Sequence, residues 1–538
     1  MSTLADPVAV PPQIEVEESP SLPPVEMPRR ARIRASISVS VLLFAGGITE
    51  VLKNAALAYR YGSSRATDAF FAAFLIPNTY AMFWVSAAIV GLVPLFARWD
   101  EEQGAGARRQ ISNALRLSVL SMAALSVLIY AAAPLLSSAL VPGFTPAERQ
   151  ETTRLLRQLT PLFVLVGFTG VASAVLNSRH LFLLSSANKL FVNAVLIGGL
   201  LLLGWTRSIG LLCALLLIGA AAFAIALGAR LWPMKLDLFS GVGLHRGEVM
   251  VLLSAMFLPF VALMARQTSA LVEREIASFL QEGSVTVITY GYQVVMGVTT
   301  IVAAGVSTVL MPLFARQRSQ HGAMRLIADG LYYLCVTLLP LACFVYLIPD
   351  FIVTLIFRHG VFSAAAATDL SRVIRAYAPG LVLSSIGNHF QTPFWAQRRY
   401  RLLIVHNTLM AAVNIVLDLA LAPFFGVVAL ALGFSGAALV HAMRLGYLLR
   451  RDFREAWDIR TFSAAMKPAV ATLVMGAAIV AARHLAPGRA VLSGALTSDC
   501  ILLGCAVAAY VVAGAACRME PFPTLWQAMR AWNGLRTS

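Results

Sequence analysis

Long apolar runs separated by short polar segments dominate the chain from about residue 36 onward. The runs are roughly twenty residues long, the length that an α-helix needs to cross the hydrocarbon core of a bilayer. The pattern therefore predicts an all-α polytopic membrane protein with about fourteen transmembrane helices. The predicted segments are 36–58, 68–96, 111–133, 158–176, 186–204, 209–229, 249–275, 285–314, 328–348, 373–391, 402–421, 427–449, 464–482 and 497–516.

The composition agrees with this pattern. Of the 538 residues, 59% are hydrophobic and 13% are charged, and the mean hydropathy is +0.76. A soluble globular protein is closer to half apolar and a quarter charged, so this chain has too little charge to cover a soluble surface. Residues 1–28 are rich in proline and glutamate and predict a disordered tail. The first apolar run is too long for a signal peptide, so we expect it to remain as the first membrane helix.

The net charge of +16 is distributed unevenly across the predicted membrane. With the N-terminus inside, about 26 of the 42 basic residues fall in inside segments and about 10 in outside loops, as the positive-inside rule expects. We therefore expect a multi-pass protein with both termini in the cytoplasm. The basic charge indicates topology and contact with anionic membrane lipids, and it does not indicate nucleic-acid binding.

A repeat runs through the chain. The pentapeptide PLFAR closes two apolar segments, beginning at Pro94 and at Pro312, 218 residues apart. At the same offset, RLLRQLTP (154–161) matches RVIRAYAP (372–379), and a phenylalanine follows a glycine-containing turn in both halves. The offset spans six segments, and an even number returns the chain to the same side, so the two copies share one orientation. The sequence predicts two parallel six-helix lobes and a C-terminal helix pair.

These features set the predicted domain boundaries. In transporters built from parallel repeats, the substrate site lies between the lobes, and rocking of the lobes exposes it to each side in turn. Duplication can also build a scaffold without transport, which is the structural alternative. The predicted units are a disordered cytoplasmic N-terminal tail (1–33), an N-lobe (34–235), a C-lobe (236–455), the extra helix pair (456–516) and a cytoplasmic C-terminal tail (517–538).

Polar side chains inside the first two predicted segments are candidates for a substrate cavity, because charge in hydrocarbon is costly and usually faces a cavity or a partner. Glu50, Lys53 and Asn54 share one helical face of the first segment. They form either a cavity wall with a charge pair or an internal ion pair near the outer end of the helix, whose lysine reaches the interface. Asp68 starts the second segment, either as a helix cap or as a cavity carboxylate.

The later segments contribute further candidates. Arg266 and Glu273 lie seven residues apart and share a face of segment 7, and Arg274 is adjacent. An interfacial position is the alternative for the charged triplet at 273–275. Gln293 lies early in segment 8. Asp418 in segment 11 is a weaker candidate, whereas His441 and Arg444 in segment 12 are expected near the cytoplasmic interface.

No sequence motif indicates catalysis. The chain contains no GxSxG, HExxH or Walker A motif, so we expect a transporter without a cofactor. Its energy would then come from an ion gradient, the membrane potential or substrate supply. The six cysteines are scattered, mostly within apolar runs, without a CxxC or Cys/His cluster. They predict small buried residues, and neither disulfides nor a metal site is expected.

Several longer stretches point to a family. They are ATDAFFAAFLIPN with the following VPLFAR, ASFLQEGSVTVITYGYQV with GVSTVLMPLFAR, FRHGVFSAAA, and the run from Pro393 through VNIVLDLAL. From about Arg34 onward the chain resembles the MurJ (MviN) family of lipid II flippases, within the multidrug/oligosaccharidyl-lipid/polysaccharide exporter superfamily. The resemblance implies fourteen helices, two six-helix lobes and an extra pair that forms a lipid-holding groove. It also implies the bacterial cytoplasmic (inner) membrane.

The resemblance implies a mechanism as well. In the family, the diphosphate head group of an undecaprenyl-linked muropeptide enters a cationic central cavity while the lipid tail stays in the membrane. A buried diphosphate requires arginine or lysine partners. Cell-wall synthesis proteins are the protein partners that the resemblance suggests.

The chain departs from the family at the cavity arginines. Gly47 and Lys53 stand where the family has two arginines on the first helix. Asp68 is retained, and we hypothesise that Arg266 and Arg274 compensate for the lost charge. The other substituted cavity positions are Ala81, Met82, Ser86, Gly291, Tyr292 and Gln293.

The leading hypothesis is therefore a flippase that moves a lipid-linked glycan precursor by alternating access, with lipid II of peptidoglycan biosynthesis as the default substrate. One alternative is a paralogue that serves an exopolysaccharide or O-antigen precursor. Others are a transport-inactive membrane scaffold and a cation-coupled drug exporter. The exporter would require a buried acidic ion site, for which Asp68 and Glu50 are the weak candidates.

Overall fold

A computed structural model describes the structure of most of the chain. Within the described residues the protein is α-helical, as predicted, apart from short turns and one 3₁₀ turn after the eighth helix. The described residues are 29–103, 105–203, 208–234, 236, 246–264, 268–297, 320–397, 399–454, 465–485, 495–517 and 519.

The helices divide between the two predicted lobes and the extra pair. Those of the N-lobe are α1 (Arg29–Tyr61), α2 (Arg65–Gln103), α3 (Ala105–Leu140), α4 (Pro146–Leu159), α5 (Pro161–Ser178), α6 (Phe182–Ser185), α7 (Asn188–Leu202) and α8 (Gly210–Leu231). Those of the C-lobe are α9 (Arg246–Met264), α10 (Thr268–Ser278), α11 (284–297, helical to its last described residue), α12 (Gln320–Leu347), α13 (Pro349–Ile356), α14 (Ala364–Ala396), α15 (Tyr400–Phe425) and α16 (Val427–Asp452). The extra pair is α17 (Met466–Leu485) and α18 (Ala495–Ala516).

Every predicted apolar segment overlaps a described helix, which confirms the all-α membrane fold. Among the described residues, nine helical stretches are long and apolar enough to span a bilayer, and two shorter apolar helices accompany them. The count of fourteen stays a prediction. Helix α1 begins at Arg29, inside the predicted tail. The second PLFAR copy, at 312–316, lies outside the described residues.

Close helix packing in the N-lobe depends on small residues. Helices α2, α3 and α8 all pack on α5, and α1 packs on α7. At Gly167 of α5, a Cβ atom would lie 2.9 Å from the carbonyl oxygen of Ser118, so only glycine permits this approach of α3. The Ser118 hydroxyl donates to the Gly167 carbonyl over 2.7 Å. Small residues and interhelical hydrogen bonds are what hold helices together in lipid.

The C-lobe is built around α14, which packs against α12 and α16. The hydroxyl of Ser435 on α16 inserts into the backbone of α14 beside Pro379. It donates to the Ala376 carbonyl over 2.7 Å and accepts from the Gly380 amide over 3.1 Å. The extra pair attaches to this lobe, because the Tyr510 hydroxyl of α18 donates to the Val336 carbonyl of α12 over 2.7 Å.

The repeat is visible in the helix caps and surface ion pairs. Thr145 and Ser363 lie 218 residues apart, and both accept a backbone hydrogen bond at the start of their helices, α4 and α14. Two turns further on, Arg154 pairs with Glu151 at 3.5 Å, and Arg372 pairs with its own acidic residue, Asp369, at 3.5 Å. The structure therefore confirms that the two lobes share one local design at the predicted offset.

Candidate functional site

Asp68 joins the two lobes at one end of the molecule. We call the face at which α2, α4, α11 and α14 begin the Asp68 face. The Asp68 carboxylate is fully buried and accepts three hydrogen bonds from the start of α11. The Thr286 amide and hydroxyl donate to Oδ1 over 2.8 and 2.6 Å, and the Gly283 amide donates to Oδ2 over 2.8 Å. A carboxylate at this position satisfies free amides and complements the helix dipole.

The sequence offered Asp68 as a cap, and the structure shows which helix it caps. The N-terminus of its own helix, α2, is capped instead by Ser64 and Thr67. The Ser64 amide donates to the Thr67 hydroxyl over 2.8 Å, and the Thr67 amide donates to the Ser64 hydroxyl over 3.5 Å. Asp68 is therefore free to cap a helix of the opposite lobe, 215 to 218 residues further along the chain.

The Asp68 face has approximate two-fold symmetry. Asp68 and Thr286 lie at equivalent positions of the repeat, 218 residues apart, so their contact lies close to the axis that relates the lobes. On one side of this contact, the Gly143 amide donates to the Ser278 hydroxyl at the end of α10 over 3.1 Å. On the other, the Val361 amide donates to the Tyr59 carbonyl near the end of α1 over 3.1 Å. The turn at Gly143 of the N-lobe thus contacts the first membrane segment of the C-lobe, and the turn at Val361 of the C-lobe contacts the first membrane segment of the N-lobe.

An aromatic cluster seals the space behind the Asp68 contact. Tyr290 of α11 packs edge-on against Phe71 of α2, with the ring centroids 5.4 Å apart. Its other neighbours are Phe357, at 5.1 Å, and Phe362, at 6.3 Å. All four rings are buried. The lobe contact at this face therefore combines the hydrogen-bonded Asp68 carboxylate with buried aromatic packing around Tyr290.

The lobes also touch further along α2. A Cβ atom at Gly91 would overlap the carbonyl oxygen of Ala255 on α9, so the two backbones are in direct contact. Tyr80 packs against Phe260 of α9 with the centroids 5.5 Å apart. The structure therefore shows lobe contacts both at the Asp68 face and deep along α2.

The candidates on α1 form one buried polar group in the N-lobe. Lys53 pairs with Glu50 one turn earlier, and both are shielded from solvent. The Asn193 amide of α7 donates to Glu50 Oε2 and to the Thr49 hydroxyl, each over 3.2 Å. Asn54 is buried, and its Oδ1 has no hydrogen-bond partner within the described residues. Both options from sequence include this ion pair, so the choice between a cavity wall and an internal pair stays a prediction, and Lys53 is buried in this structure.

The candidates on α10 form a second buried polar group, in the C-lobe. Glu273 and Arg274 are 8% and 7% exposed, whereas Glu275 is exposed, so only the third charge of the triplet lies at the surface. Arg274 Nη1 lies 4.0 Å from Glu273 Oε2. Asp418 of α15, which packs against α10, is fully buried and accepts from the Asn414 amide over 2.6 Å.

The missing side chain of Gly433 makes room for this acidic group. A Cβ atom at Gly433 of α16 would overlap Oδ1 of Asp418, so glycine leaves space for the carboxylate. That Oδ1 atom has no hydrogen-bond partner within the described residues. Across the same residues, no group of three or more His, Cys, Asp or Glu side chains is arranged to hold a metal ion. The group can offer oxygen ligands to a monovalent cation or accept a proton.

The remaining candidates occupy different surroundings. Gln293 of α11 has a buried Oε1 without a partner in the described part of the chain. Its neighbour Tyr292 packs edge-on against Tyr377 and Phe434, with both centroid distances 6.0 Å. Aromatic packing thus occupies a position where the family resemblance places charge. Arg266 lies outside the described residues.

A histidine pair was missed by sequence reasoning. His406 of α15 and His441 of α16 are both buried, and their ring nitrogens lie 2.8 Å apart. Arg444 Nη1 lies 3.1 Å from the other ring nitrogen of His406. His441 is therefore buried within the protein, and its position near the cytoplasmic interface stays a prediction. Two single histidines on separate apolar helices give no linear pattern that could have revealed the pair.

These features define a class of protein: a polytopic α-helical transporter with two repeated lobes, closed against each other, and buried charge in each lobe. A family model described as Lipid II flippase MurJ matches residues 57–496. The chain therefore belongs to the MurJ family, whose members are transporters and not enzymes.

Known relatives agree with this assignment. A probable lipid II flippase MurJ from Rhizobium meliloti (strain 1021) is 27% identical over 498 residues, covering 86% of this chain and 89% of the relative. The corresponding Rhizobium tropici protein is 26% identical over 466 residues, covering 82% and 84%. The lipid II flippase MurJ of Burkholderia cenocepacia is 25% identical over 366 residues, covering 65% and 70%.

Solved structures agree at the level of the fold. A lipid II flippase MurJ in an inward closed conformation superposes with a TM-score of 0.76 at 18% identity, covering 89% of this chain and 98% of that one. An inward-facing multidrug transporter of the MATE family gives a TM-score of 0.62 at 14% identity, covering 79% and 98%. The chain therefore has the fold of these transporters.

The Asp68 contact predicts a measurable change in lobe separation. Asp68→Asn replaces a charged acceptor of three hydrogen bonds with a neutral one that also brings donors toward the α11 amides. Charge-assisted bonds contribute about 1.5–3 kcal/mol each, so we expect the closed form to lose at least roughly tenfold in population. Spin labels at exposed Ala66 and Gln281, in a cysteine-free background, should report a longer distance component across this face.

Thr286→Val is the matched control for this experiment. It removes only the hydroxyl donor and keeps both backbone amides, so its effect should be smaller, that of one charge-assisted bond of about 1.5–3 kcal/mol. Equal distance distributions in the native protein and Asp68→Asn would show that the contact does not hold the lobes closed.

Proposed function

We propose that this protein translocates lipid II across the cytoplasmic membrane by alternating access of its two lobes. The observation that carries the proposal is the match to the lipid II flippase family over residues 57–496. The relatives at 25–27% identity carry the same description. Alternating access requires contacts that close one side of the protein and can break to open it. The contacts between the lobes at the Asp68 face are of this kind.

The proposed orientation places the Asp68 face outside the cell and both termini in the cytoplasm. The distribution of basic residues supports it, since the segments at the opposite face hold most of them. In this orientation, the Asp68 closure separates the space between the lobes from the outside. Release of a head group outward then requires that Asp68 leave the start of α11, together with the paired turns at Gly143 and Val361.

Lys53 is the proposed head-group ligand of the N-lobe. A buried cation needs a counter-charge, and in this structure Glu50 of the same helix provides it. A diphosphate carries more charge than one carboxylate and can draw Lys53 away, leaving Glu50 with its hydrogen bond from Asn193. Arg274 is the described cation in the C-lobe group, and its Nε has no hydrogen-bond partner there.

A second candidate substrate is another lipid-linked glycan, from an exopolysaccharide or O-antigen pathway. The specific observation that favours it is the altered cavity charge. Gly47 and Gly291 are buried without side chains, and Tyr292 packs among aromatic rings. A cavity with fewer fixed cations holds a diphosphate less strongly, and a different glycan could supply the missing contacts.

Energy coupling is proposed to use the acidic group of the C-lobe. Glu273, Asn414 and Asp418 place carboxylate and amide oxygens on two adjacent helices at membrane depth. Intramembrane carboxylates commonly bind coupling ions or protons. Binding there would neutralise charge next to Arg274 and so change the charge balance that a head group meets.

The substrate proposal is tested by rescue. Cells depleted of their own lipid II flippase should regain growth and normal shape when this protein is expressed. The readout should include the lipid II accessible at the outer surface, because growth alone does not identify the cargo. Absence of rescue by a well-expressed, correctly inserted protein would overturn the lipid II assignment and favour the other glycan.

The role of Lys53 is tested by separating folding from transport. Lys53→Met leaves a buried carboxylate unpaired and should reduce both stability and transport, since breaking a buried pair costs about 3–5 kcal/mol. The double variant Glu50→Gln/Lys53→Met removes both charges and should regain stability without regaining transport. Lys53→Arg is the charge-conserving control. Full transport by the stable double variant would remove Lys53 from the substrate path.

The coupling proposal is tested in liposomes that contain the purified protein. Imposed sodium, proton and voltage gradients should change the rate of lipid II flipping by the native protein. Glu273→Gln/Asp418→Asn should lose most of that response, whereas Glu275→Gln, an exposed neighbour on the same helix, should keep it. A native protein that is indifferent to all three gradients would contradict coupling at this group.

A further inference from the structure

A basic cavity of about 750 Å³ lies in the N-lobe, on the Asp68 side, where α3 meets α4. Its lining includes Tyr130 of α3 and Glu151, Arg154 and Arg157 of α4. Arg154 is paired with Glu151 at 3.5 Å, so this pair is close to neutral. The net positive charge of the cavity therefore comes from Arg157.

Arg157 is held in one orientation by a single residue. Its Nε donates to the Tyr130 carbonyl over 3.3 Å, and its guanidinium lies 5.0 Å from the centroid of the Tyr130 ring. These contacts use Nε and one face of the group, and they leave its two terminal nitrogens available. Among the described residues, no carboxylate lies within 4.0 Å of Arg157, and α3 contains no acidic residue. The arginine is positioned but has no counter-ion in the part of the chain that the structure describes.

The C-lobe provides an internal comparison. Arg375 is the repeat equivalent of Arg157, and its Nε likewise donates to a tyrosine carbonyl, that of Tyr346, over 3.1 Å. In this lobe, however, Asp350 lies 3.9 Å from Arg375 Nη2. Within the described residues, the C-lobe arginine therefore has a counter-ion and the N-lobe arginine has none.

The surface beside Arg157 is the kind that contacts lipid chains. Along α3, Val127 and Leu128 are 70% and 61% exposed before Tyr130, and Leu135 is 73% exposed after it. Helix α3 belongs to the apolar stretches that are able to span a bilayer. A cation beside a lipid-facing surface can pair with the phosphate groups of the lipids.

We propose that the Arg157 cavity binds the phosphate of an anionic phospholipid in the leaflet at the Asp68 face. The two terminal nitrogens of Arg157 match the spacing of phosphate oxygens, as in bidentate arginine–phosphate pairs. Arg154 adds donors at the rim, and the acyl chains lie along the exposed face of α3. The inference rests on the membrane-spanning fold, and it holds whichever glycan the protein transports.

The experiment uses the full-length protein, purified in an uncharged detergent, and counts bound lipids by native mass spectrometry. The probes are dioleoyl phosphatidylglycerol, dioleoyl phosphatidylcholine and inorganic phosphate. Arg157→Gln should bind phosphatidylglycerol about tenfold more weakly at that one site, so it carries about one lipid fewer at a concentration that just fills the native protein. Arg375→Gln is the matched control. It should bind as the native protein does, because in the native protein Arg375 is already paired with Asp350.

A gain-of-binding variant keeps the test independent of any folding defect in Arg157→Gln. Asp350→Asn frees Arg375 in the C-lobe and should create one additional phosphatidylglycerol site. Equal losses in Arg157→Gln and Arg375→Gln, or no gain in Asp350→Asn, would overturn the proposal. So would native binding of phosphatidylcholine as tight as that of phosphatidylglycerol, or full displacement of the lipid by inorganic phosphate at equal concentration.

Discussion

The contact between Asp68 and the start of α11 is the constraint on which the rest of the structure depends. A fully buried carboxylate is costly in a membrane protein unless donors surround it, and three donors from the opposite lobe do so here. Because the contact joins equivalent positions of the two repeats, it also locates their symmetry axis. The turns at Gly143 and Val361 and the ring of Tyr290 then close around it. The closed state at this face is thus centred on one charged contact, and further contacts along α2 add to it.

Charge inside the lobes follows a second rule, which is local neutralisation. Lys53 has Glu50, Arg274 has Glu273, and Arg375 has Asp350. Lys53 and Arg274 can therefore remain buried without substrate, whereas the pair of Arg375 and Asp350 is exposed to solvent. In the proposed transport cycle, the two buried cations exchange their partners for a phosphate. Arg157 departs from this rule, which is why a lipid is the partner that we assign to it.

Much of the fold was accessible from sequence because it rests on short-range patterns. Helix positions follow from the length of the apolar runs. The repeat follows from sequence motifs that match at one offset, and the structure shows it in the equivalent caps at Thr145 and Ser363. The Glu50–Lys53 pair was also accessible, since two residues three apart on a helix must be neighbours. The burial of Glu273 beside Asp418 was not, because it requires knowing which faces of α10 and α15 meet.

The sequence by itself determined that this is an all-α, two-lobed membrane protein of the flippase family, because apolar length and repeated motifs are properties of neighbouring residues. Only the tertiary structure decided that Asp68 caps a helix 215 residues away and that His406 contacts His441. It also decided that Asp350 pairs with Arg375, whereas the equivalent N-lobe arginine has no counter-ion among the described residues. The physical reason is that, in a membrane, lipid-facing and protein-facing surfaces are both apolar. Hydrophobic pattern therefore sets where a helix lies but not how it is rotated, and rotation chooses the partners of its few polar side chains.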